Sequence, residues 1–230
     1  MLTQFRLENF RSYHSATLDL SPLTVMVGAN ASGKSNALEA LQMLSWLSYG
    51  RRLEDVFRAV EQMELLLRGR VTDLTYEGAP AFRLGCSLEQ AEPWGILEVE
   101  IAVDQEGMRI RQESITSPTE RSPLYRVEQS ATGFSHDISV SYNNFARGGI
   151  KPQIICTDQQ AVFTQLLTPA RFASQHTRSQ KEIPSTAKVF IQALERVLFL
   201  DPVPRRMREA SYIFDKALKG DGSNISSTLH

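Results

Sequence analysis

The chain has 230 residues, of which 42% are apolar, so it is long enough for one large domain or two small ones. Its 25 Lys and Arg nearly balance its 26 Asp and Glu, which excludes a chain-wide basic field for nucleic acid. No apolar run approaches the roughly 18–20 residues of a membrane-spanning helix. Cys86 and Cys156 lie in apolar, strand-like stretches without metal-ligand spacing. We therefore predict a cytoplasmic protein whose two cysteines are reduced thiols in the core.

The first region, residues 1–69, is predicted to combine short strands with helices. One apolar run is bounded by Pro22 and Gly28 and is typical of a buried strand. A helical spacing of apolar residues begins directly after the glycines that follow this run. The predicted elements are strands at Phe5–Phe10, Ala16–Leu20 and Leu23–Val27, a helix from Ser35 to Gly50, and a second helix from Leu53 to Gly69.

The second region, residues 70–145, changes to an alternating pattern interrupted by short turns, which predicts an antiparallel meander. Its strands are expected at Arg70–Tyr76, Ala81–Leu88, Ile96–Val103, Met108–Ile115, Leu124–Gln129 and Phe134–Tyr142. The third region, residues 146–230, returns to helical spacing, with a helix expected to begin at Pro184–Ser185. The sequence therefore predicts an α/β fold: a lobe with a phosphate-binding loop and a mixed sheet, an antiparallel subdomain and a helical segment, all within one head.

The segment Gly28–Ser35 fits the pattern G-x-x-x-x-G-K-[ST] at every fixed position. In such a loop, glycines permit close approach of the backbone, and successive N–H groups converge on phosphate oxygens. Lys34 is expected to contact the β- and γ-phosphates, and the Ser35 hydroxyl is expected to bind Mg²⁺. The motif predicts an ATP·Mg²⁺ site whose loop residues are Gly28, Ala29, Asn30, Ala31, Ser32, Gly33, Lys34 and Ser35, with Asn36 following.

The residues around this loop carry a family resemblance. Leu7–Ser12 followed by Leu23–Asn36 and Ala37–Leu41 resembles the opening of RecF, Rad50, SMC and OLD-type ATPase heads, which belong to the ABC class. Later segments resemble a bacterial group of predicted AAA-type ATPases with the same ABC-like head, some of them in anti-phage systems. These later segments are Leu167–Phe172, Phe199–Pro202 and Gly220–Ser227.

The resemblance implies roles that the loop motif alone does not give. Asn30 is expected to face the γ-phosphate and position the attacking water, although an Asn is also tolerated in a tight turn. Arg11 is expected to approach the phosphates or ribose, with a solvated surface Arg as the alternative. Gln159, or its neighbour Gln160, is expected to sense the γ-phosphate through Mg²⁺, with a polar helix start as the alternative. Asn36 is interpreted as a first-turn helix residue at the edge of the nucleotide.

A complete head of this class also needs a signature motif, an apolar strand ending in Asp-Glu and a switch His, and none is found. Val197–Asp201 resembles the apolar strand, but Pro202 stands where the Glu is needed. Asp201 is therefore interpreted as a helix-end or turn residue. We expect the chain to be the N-terminal lobe of a longer protein, which binds ATP but does not hydrolyse it as an isolated fragment.

Two functions remain open at this stage. The first is an ATPase that forms a head-to-head dimer with itself around ATP and couples closure to DNA handling, in repair or phage defence. The second is an ATP-gated scaffold that turns over slowly and controls an effector such as a nuclease. DNA contacts are expected, if present, through two arginine groups that otherwise form a solvated face: Arg205, Arg206 and Arg208, and Arg109, Arg111, Arg121 and Arg126.

Overall fold

A computed structural model describes residues 1–61, 67–131, 135–200, 203–208, 212, 214 and 218–228. Contacts divide the chain into two units, Met1–Glu195 and Arg196–His230. The predicted boundary near residue 69 does not separate folding units, because strands from both sides of it share one sheet. The division near residue 195 was not expected from the sequence.

The first unit is built on one sheet of eight strands in the order β2-β1-β3-β4-β5-β6-β7-β8. Every neighbouring pair is antiparallel, so the mixed sheet predicted from the sequence is not present among the described residues. The strands are β1 Leu2–Phe10, β2 Tyr13–Asp19, β3 Ala81–Leu88, β4 Ile96–Asp104, β5 Gly107–Thr116, β6 Tyr125–Gln129, β7 Asp137–Tyr142 and β8 Gln153–Thr157. Seven of these strands, β1 to β7, correspond to predicted ones, with ends shifted by a few residues.

One face of the sheet forms the core. Phe5 lies opposite Cys86, and Leu7 lies opposite Leu84, with all four side chains fully buried. Burial raises the pKa of the Cys86 thiol to about 12, which keeps it protonated and unreactive. The prediction of free core cysteines is confirmed, since both thiols are buried and unpaired.

Helices cover this face. They are α1 Lys34–Ser48, α2 Val56–Glu61, α3 Val162–Gln165 and α4 Thr177–Glu195. Helix α1 is buried over most of its circumference, as its broad apolar stripe predicts. The Ser45 hydroxyl donates a 2.9 Å hydrogen bond to the Leu194 carbonyl, which fixes the contact between α1 and α4. Gly50 ends the predicted helix in the left-handed region, with φ 67.

A buried carboxylate joins the sheet to α3. Glu113, which is 1% exposed, lies on the core face of β5. Its carboxylate accepts hydrogen bonds from the Tyr125 hydroxyl at 2.5 Å and from the Val162 and Phe163 N–H groups at 2.7 Å each. Burial raises the pKa of Glu113 to about 7, because desolvation outweighs the stabilising effect of these donors.

Leu23–Val27 is not the buried strand that the sequence predicts. Leu23, Val25 and Val27 are 74%, 72% and 90% exposed, and no described strand pairs with this segment. An apolar run with both faces hydrophobic is typical of a strand with neighbours on each side. The segment is apolar as the pattern requires, but none of the described residues packs over Leu23, Val25 and Val27.

Two other predictions are wrong. Arg70–Tyr76 forms 3₁₀ turns rather than a strand, because the Asp73 carboxylate accepts the Arg70 N–H at 2.9 Å and closes the chain locally. Helix α4 begins at Thr177 rather than at Pro184, which lies inside it. The Ser179 hydroxyl, fully buried, donates to the Asn143 carbonyl at 2.8 Å, so tertiary contacts hold the turn that precedes the proline.

The second predicted helix is shorter than expected. A 3₁₀ turn at Leu53–Asp55 leads into α2, which is described as far as Glu61. Residues 62–66 of the predicted helix lie outside the described residues, and residues 67–69 are not helical. The second unit contains the short helix α5, Ile225–Thr228, and an ion pair of 2.7 Å between Arg206 and Asp221. Across the described ranges, none of the helices combines the length and apolar character needed to span a bilayer.

Candidate functional site

The phosphate-loop motif forms an exposed loop that enters α1. Ala31 and Gly33 have left-handed backbones, with φ 63 and φ 93, and the Ser32 N–H donates to the Ala29 carbonyl at 3.3 Å. Helix α1 then begins at Lys34, directly at the lysine of the motif. The helix side of the predicted context is therefore present.

The first turn of α1 is open to a ligand. Gly33 occupies the N-cap position and has no side chain, and none of the residues described by the structure caps this end with a side chain. Backbone N–H groups at a helix N-terminus lack intrahelical partners and carry a partial positive charge. Ser35, in the first turn, is exposed. This geometry suits phosphate oxygens and a metal ion bound to them.

Lys34 folds back over the loop. Its ammonium donates to the Gly28 carbonyl at 2.7 Å, the Ala29 carbonyl at 2.6 Å and the Ser32 hydroxyl at 3.3 Å. Neutral oxygens therefore occupy the positions around the ammonium that charged phosphate oxygens take more favourably. Asn30 is exposed on the rim of the same loop. The residues from Gly28 to Ser35 thus fit an ATP phosphate chain.

A cleft of about 520 Å³ begins beside the first turn of α1. Two of its lining residues, Arg11 and Arg68, form ion pairs with Glu39, which is only 4% exposed. The Glu39 carboxylate pairs with Arg11 at 2.7 Å and with Arg68 at 2.5 Å. The cleft is lined by Arg11, Ser12, Asn36, Arg68, Gly69 and Asp73. The predicted residue Arg11 therefore lies beside the loop, but its guanidinium is already paired.

Gln159 and Gln160 are not brought to the phosphate loop. Gln159 is 5% exposed, its carbonyl accepts the Leu53 N–H at 2.7 Å, and its amide donates to the Asp158 carboxylate at 3.1 Å. The Gln160 amide donates to the Gly50 carbonyl at 2.7 Å. These partners lie beyond the C-terminal end of α1, whose 15 residues separate them from Lys34 by roughly 20 Å. We therefore leave Gln159 out of the proposed ATP and Mg²⁺ site.

Three of the four meander arginines named above, Arg109, Arg111 and Arg126, are neutralised by neighbouring carboxylates, whereas Arg121 is exposed. Arg109 pairs with Asp104 at 2.6 Å, and Arg111 pairs with Glu100 at 3.4 Å. Arg126 likewise lies 3.1 Å from Glu128. This face of the sheet is a mixed-charge surface and does not present the basic patch that a nucleic-acid backbone requires. Of the other arginine group, Arg206 is paired with Asp221 in the second unit.

Several residues near the loop were missed by the sequence interpretation. Glu39 was counted only as part of a helix, although a carboxylate within the stripe Ala37–Leu41 indicates a buried partner. Ser12, Tyr13 and Arg68 gave no signal, because their contacts depend on the folded path of the chain. Asp201 lies outside the described residues. Among the residues that are described, no three His, Cys, Asp or Glu side chains are grouped closely enough to hold a metal ion.

A glycine-rich loop ending in a lysine at the first turn of a buried helix is the arrangement of P-loop ATPases. Residues 1–114 match the family model of the AAA ATPase domain. The chain is similar to proteins named DNA replication and repair protein RecF. Identity is 42% over 89 residues with that of Gloeobacter violaceus, covering 38% of this chain and 21% of the relative.

Other relatives of the same name give similar values. Identity is 39% over 87 residues with the protein of Acidothermus cellulolyticus, covering 34% of this chain and 24% of the relative. It is 53% over 49 residues with that of Rhodococcus erythropolis, covering 21% and 12%. The chain therefore matches an AAA ATPase domain over residues 1–114 and is similar to RecF proteins over part of its length. The chain spans about a fifth of the length of the curated relatives it matches.

Proposed function

We propose that this chain binds ATP·Mg²⁺ at Gly28–Ser35 and serves as the nucleotide-binding part of an ATPase that acts in DNA repair. The observation that carries the proposal is the Lys34 ammonium, held at the centre of the loop by two carbonyls and a hydroxyl. A cation beside the first-turn N–H groups of a helix, which lack intrahelical partners, is an arrangement that binds a phosphate chain. The match to the AAA ATPase domain supports this assignment.

Each part of the site has a role toward the nucleotide. Lys34 exchanges its carbonyl partners for β- and γ-phosphate oxygens, and the first-turn N–H groups of α1 bind the remaining oxygens. Ser35 offers its hydroxyl to Mg²⁺, and Asn30 faces the γ-phosphate from the rim of the loop. A Mg²⁺ ion held with the nucleotide would neutralise phosphate charge, while Lys34, Ser35 and the first-turn N–H groups would fix the position of the phosphates.

We further propose that this chain alone binds ATP without sustained turnover. Among the described residues, no carboxylate forms an ion pair with Lys34, and Glu39, in the same helix, is committed to Arg11 and Arg68. Asp73, which lines the neighbouring cleft, accepts the Arg70 N–H at 2.9 Å, so both of these acids are engaged by other groups of the protein. An assay of phosphate release from ATP by the purified chain tests this, with background rates expected and steady turnover contradicting it.

The experiment that tests the binding site is a titration of ATP·Mg²⁺ into the wild-type chain and two lysine variants. Lys34→Ala is expected to weaken binding at least a hundredfold, because the phosphate charge loses its counter-ion. Lys188→Ala removes an exposed lysine of α4 and serves as the matched control. Equal affinities of the wild type and Lys34→Ala would remove the phosphate-loop assignment.

For the whole protein we propose that ATP drives self-association and that this association serves DNA repair. The similarity to RecF proteins supports a role in DNA repair, and an exposed loop leaves the γ-phosphate side of ATP open for a second copy. ATP that binds the closed dimer more tightly than the open monomer must shift the equilibrium toward the dimer. Mass measurements of the full-length protein across ATP concentrations test this, with Lys34→Ala as control. An oligomeric mass that does not change with ATP concentration would contradict ATP-driven dimerisation and favour a static scaffold.

A further inference from the structure

The connection between β1 and β2, which we call the β1–β2 corner (Arg11–Tyr13), lies against the beginning of α1. Arg11, Ser12 and Tyr13 contact Glu39, Asn36 and Gly33, respectively. These positions are three residues apart, so they follow one side of the helix. The corner therefore contacts the end of the phosphate loop at Gly33, the first turn of α1 at Asn36 and the second turn at Glu39.

Tyr13 is in contact with the last glycine of the loop. A Cβ placed on Gly33 would lie 2.9 Å from the Tyr13 hydroxyl oxygen and 3.1 Å from the adjacent ring carbon. The tyrosine ring thus occupies the space directly above the Gly33 Cα. Gly33 also has φ 93, so this position requires glycine both for its left-handed backbone and for the space that the Tyr13 ring occupies.

Polar contacts fix the next two positions. The Asn36 amide donates to the Ser12 hydroxyl at 2.8 Å. Arg11 lies 2.7 Å from the Glu39 carboxylate, and the side chains of this pair are only 11% and 6% exposed. Arg68 approaches from the other side, pairing with Glu39 at 2.5 Å and donating to the Asn36 side-chain carbonyl at 3.1 Å. The first two turns of α1 are therefore held from two directions.

The backbone of Arg11 is itself unusual. Arg11 has φ 53, a left-handed conformation that non-glycine residues rarely adopt. Its N–H donates to the Leu74 carbonyl at 2.8 Å, and its guanidinium also donates to the Arg68 carbonyl. An unfavourable backbone conformation persists where surrounding contacts impose it, and such residues concentrate at functional sites. The Arg11 guanidinium is thus held by the Glu39 carboxylate and by the Arg68 and Asp73 carbonyls, and its side chain is 11% exposed.

We propose that the β1–β2 corner is the positioning element of the ATP site. It fixes the direction of the phosphate loop and of the first-turn N–H groups, and Arg11 acts through Glu39 rather than by touching the nucleotide. This inference rests on the proposed function, because it needs ATP to bind at Gly28–Ser35. Small displacements of such a loop cost large factors in binding or rate, so the corner sets the affinity for ATP.

A double-mutant cycle on ATP·Mg²⁺ affinity tests the inference in the full chain. Arg11→Met and Glu39→Gln are each expected to raise the dissociation constant about tenfold or more. The double variant is expected to bind no more weakly than the weaker single variant, because one contact is lost in every case. Independent, multiplying effects would show that Arg11 contacts the nucleotide directly and would overturn the proposal. Unchanged affinity in both single variants would overturn it as well.

Two controls separate affinity from general stability. Arg83→Met breaks an ion pair of 2.7 Å with Glu100 on the outer face of the sheet and is expected to leave ATP affinity unchanged. A weakening as large as that of Arg11→Met would mean that any lost ion pair lowers affinity. Lys34→Ala identifies the site itself: if it binds ATP as the wild type does, the proposed function fails. If only Lys34→Ala weakens binding, the ATP site stands and the positioning role of the β1–β2 corner is excluded.

Tyr13 supplies a second test that does not depend on a buried charge. Tyr13→Ala removes the ring from Gly33 and is expected to raise the ATP dissociation constant about tenfold, while Tyr13→Phe keeps the ring and restores wild-type affinity. Circular dichroism at the titration temperature confirms that each variant is folded. Wild-type affinity in Tyr13→Ala would contradict the role of the ring, even if Glu39→Gln cannot be purified.

Discussion

Glu113 is predicted to make the protein less stable as the pH rises from about 4.5 to about 7. Burial raises the pKa of this carboxyl from its ordinary value of 4.5 to about 7. The folded protein therefore retains a proton that the unfolded chain releases. Stability from this group is fully present below the unfolded pKa and is lost as the pH rises through the folded pKa.

The size of the effect follows from the pKa difference. Each unit corresponds to about 1.4 kcal/mol, so the free energy of unfolding should fall by about 3 kcal/mol across this pH range. Glu113→Gln keeps the shape of the side chain and removes the titration. The unfolding free energy of the wild type minus that of the variant should therefore fall by about 3 kcal/mol with rising pH and become constant above about pH 8.

Urea unfolding at pH 4.5, 6, 7 and 8, followed by circular dichroism, measures this difference. Glu120→Gln, which alters an exposed carboxyl, is the control and should follow the wild type at every pH. Parallel pH curves for the wild type and Glu113→Gln would refute the assignment. Such a result would mean that the donors from Tyr125, Val162 and Phe163 keep the carboxylate ionised despite its burial.

Two further predictions concern the loop and the segment before it. Gly33→Ala should destabilise the fold more than Gly148→Ala, by roughly 1–3 kcal/mol in urea unfolding, because both glycines are left-handed but only the first faces the Tyr13 ring. Equal costs would argue against that contact. Val27→Thr should change stability by less than about 0.5 kcal/mol, since Val27 is 90% exposed, whereas Val99→Thr in the core should cost more than about 1 kcal/mol. A large cost at Val27 would show that this segment is covered.

The meander could be predicted from sequence because its information is local. Alternating apolar residues and short turns such as Asp104–Gly107 specify antiparallel neighbours without reference to the rest of the chain. The same holds for α1, whose stripe and terminal Gly50 fix its length. Arg70–Tyr76 and Pro184 were misinterpreted because an Asp73 side chain and a buried Ser179 overrode local propensity.

The candidate site divides in the same way. The loop Gly28–Ser35 could be recognised because its chemistry depends on contiguous residues. The roles of Arg11 and Gln159 could not be derived, because they depend on which distant segments meet. The fold pairs Arg11 with Glu39 and places Gln159 beyond the far end of α1. No pattern within a single segment encodes either distance.

The central claim is that ATP·Mg²⁺ binds at the phosphate loop and the first turn of α1. Hydrogen exchange of the backbone amides, measured with and without ATP·Mg²⁺, tests it most directly. The account predicts slower exchange in residues 28–37 and no change around Gln159 and Gln160. Protection confined to other segments, or none in residues 28–37 at saturating ATP, would contradict it.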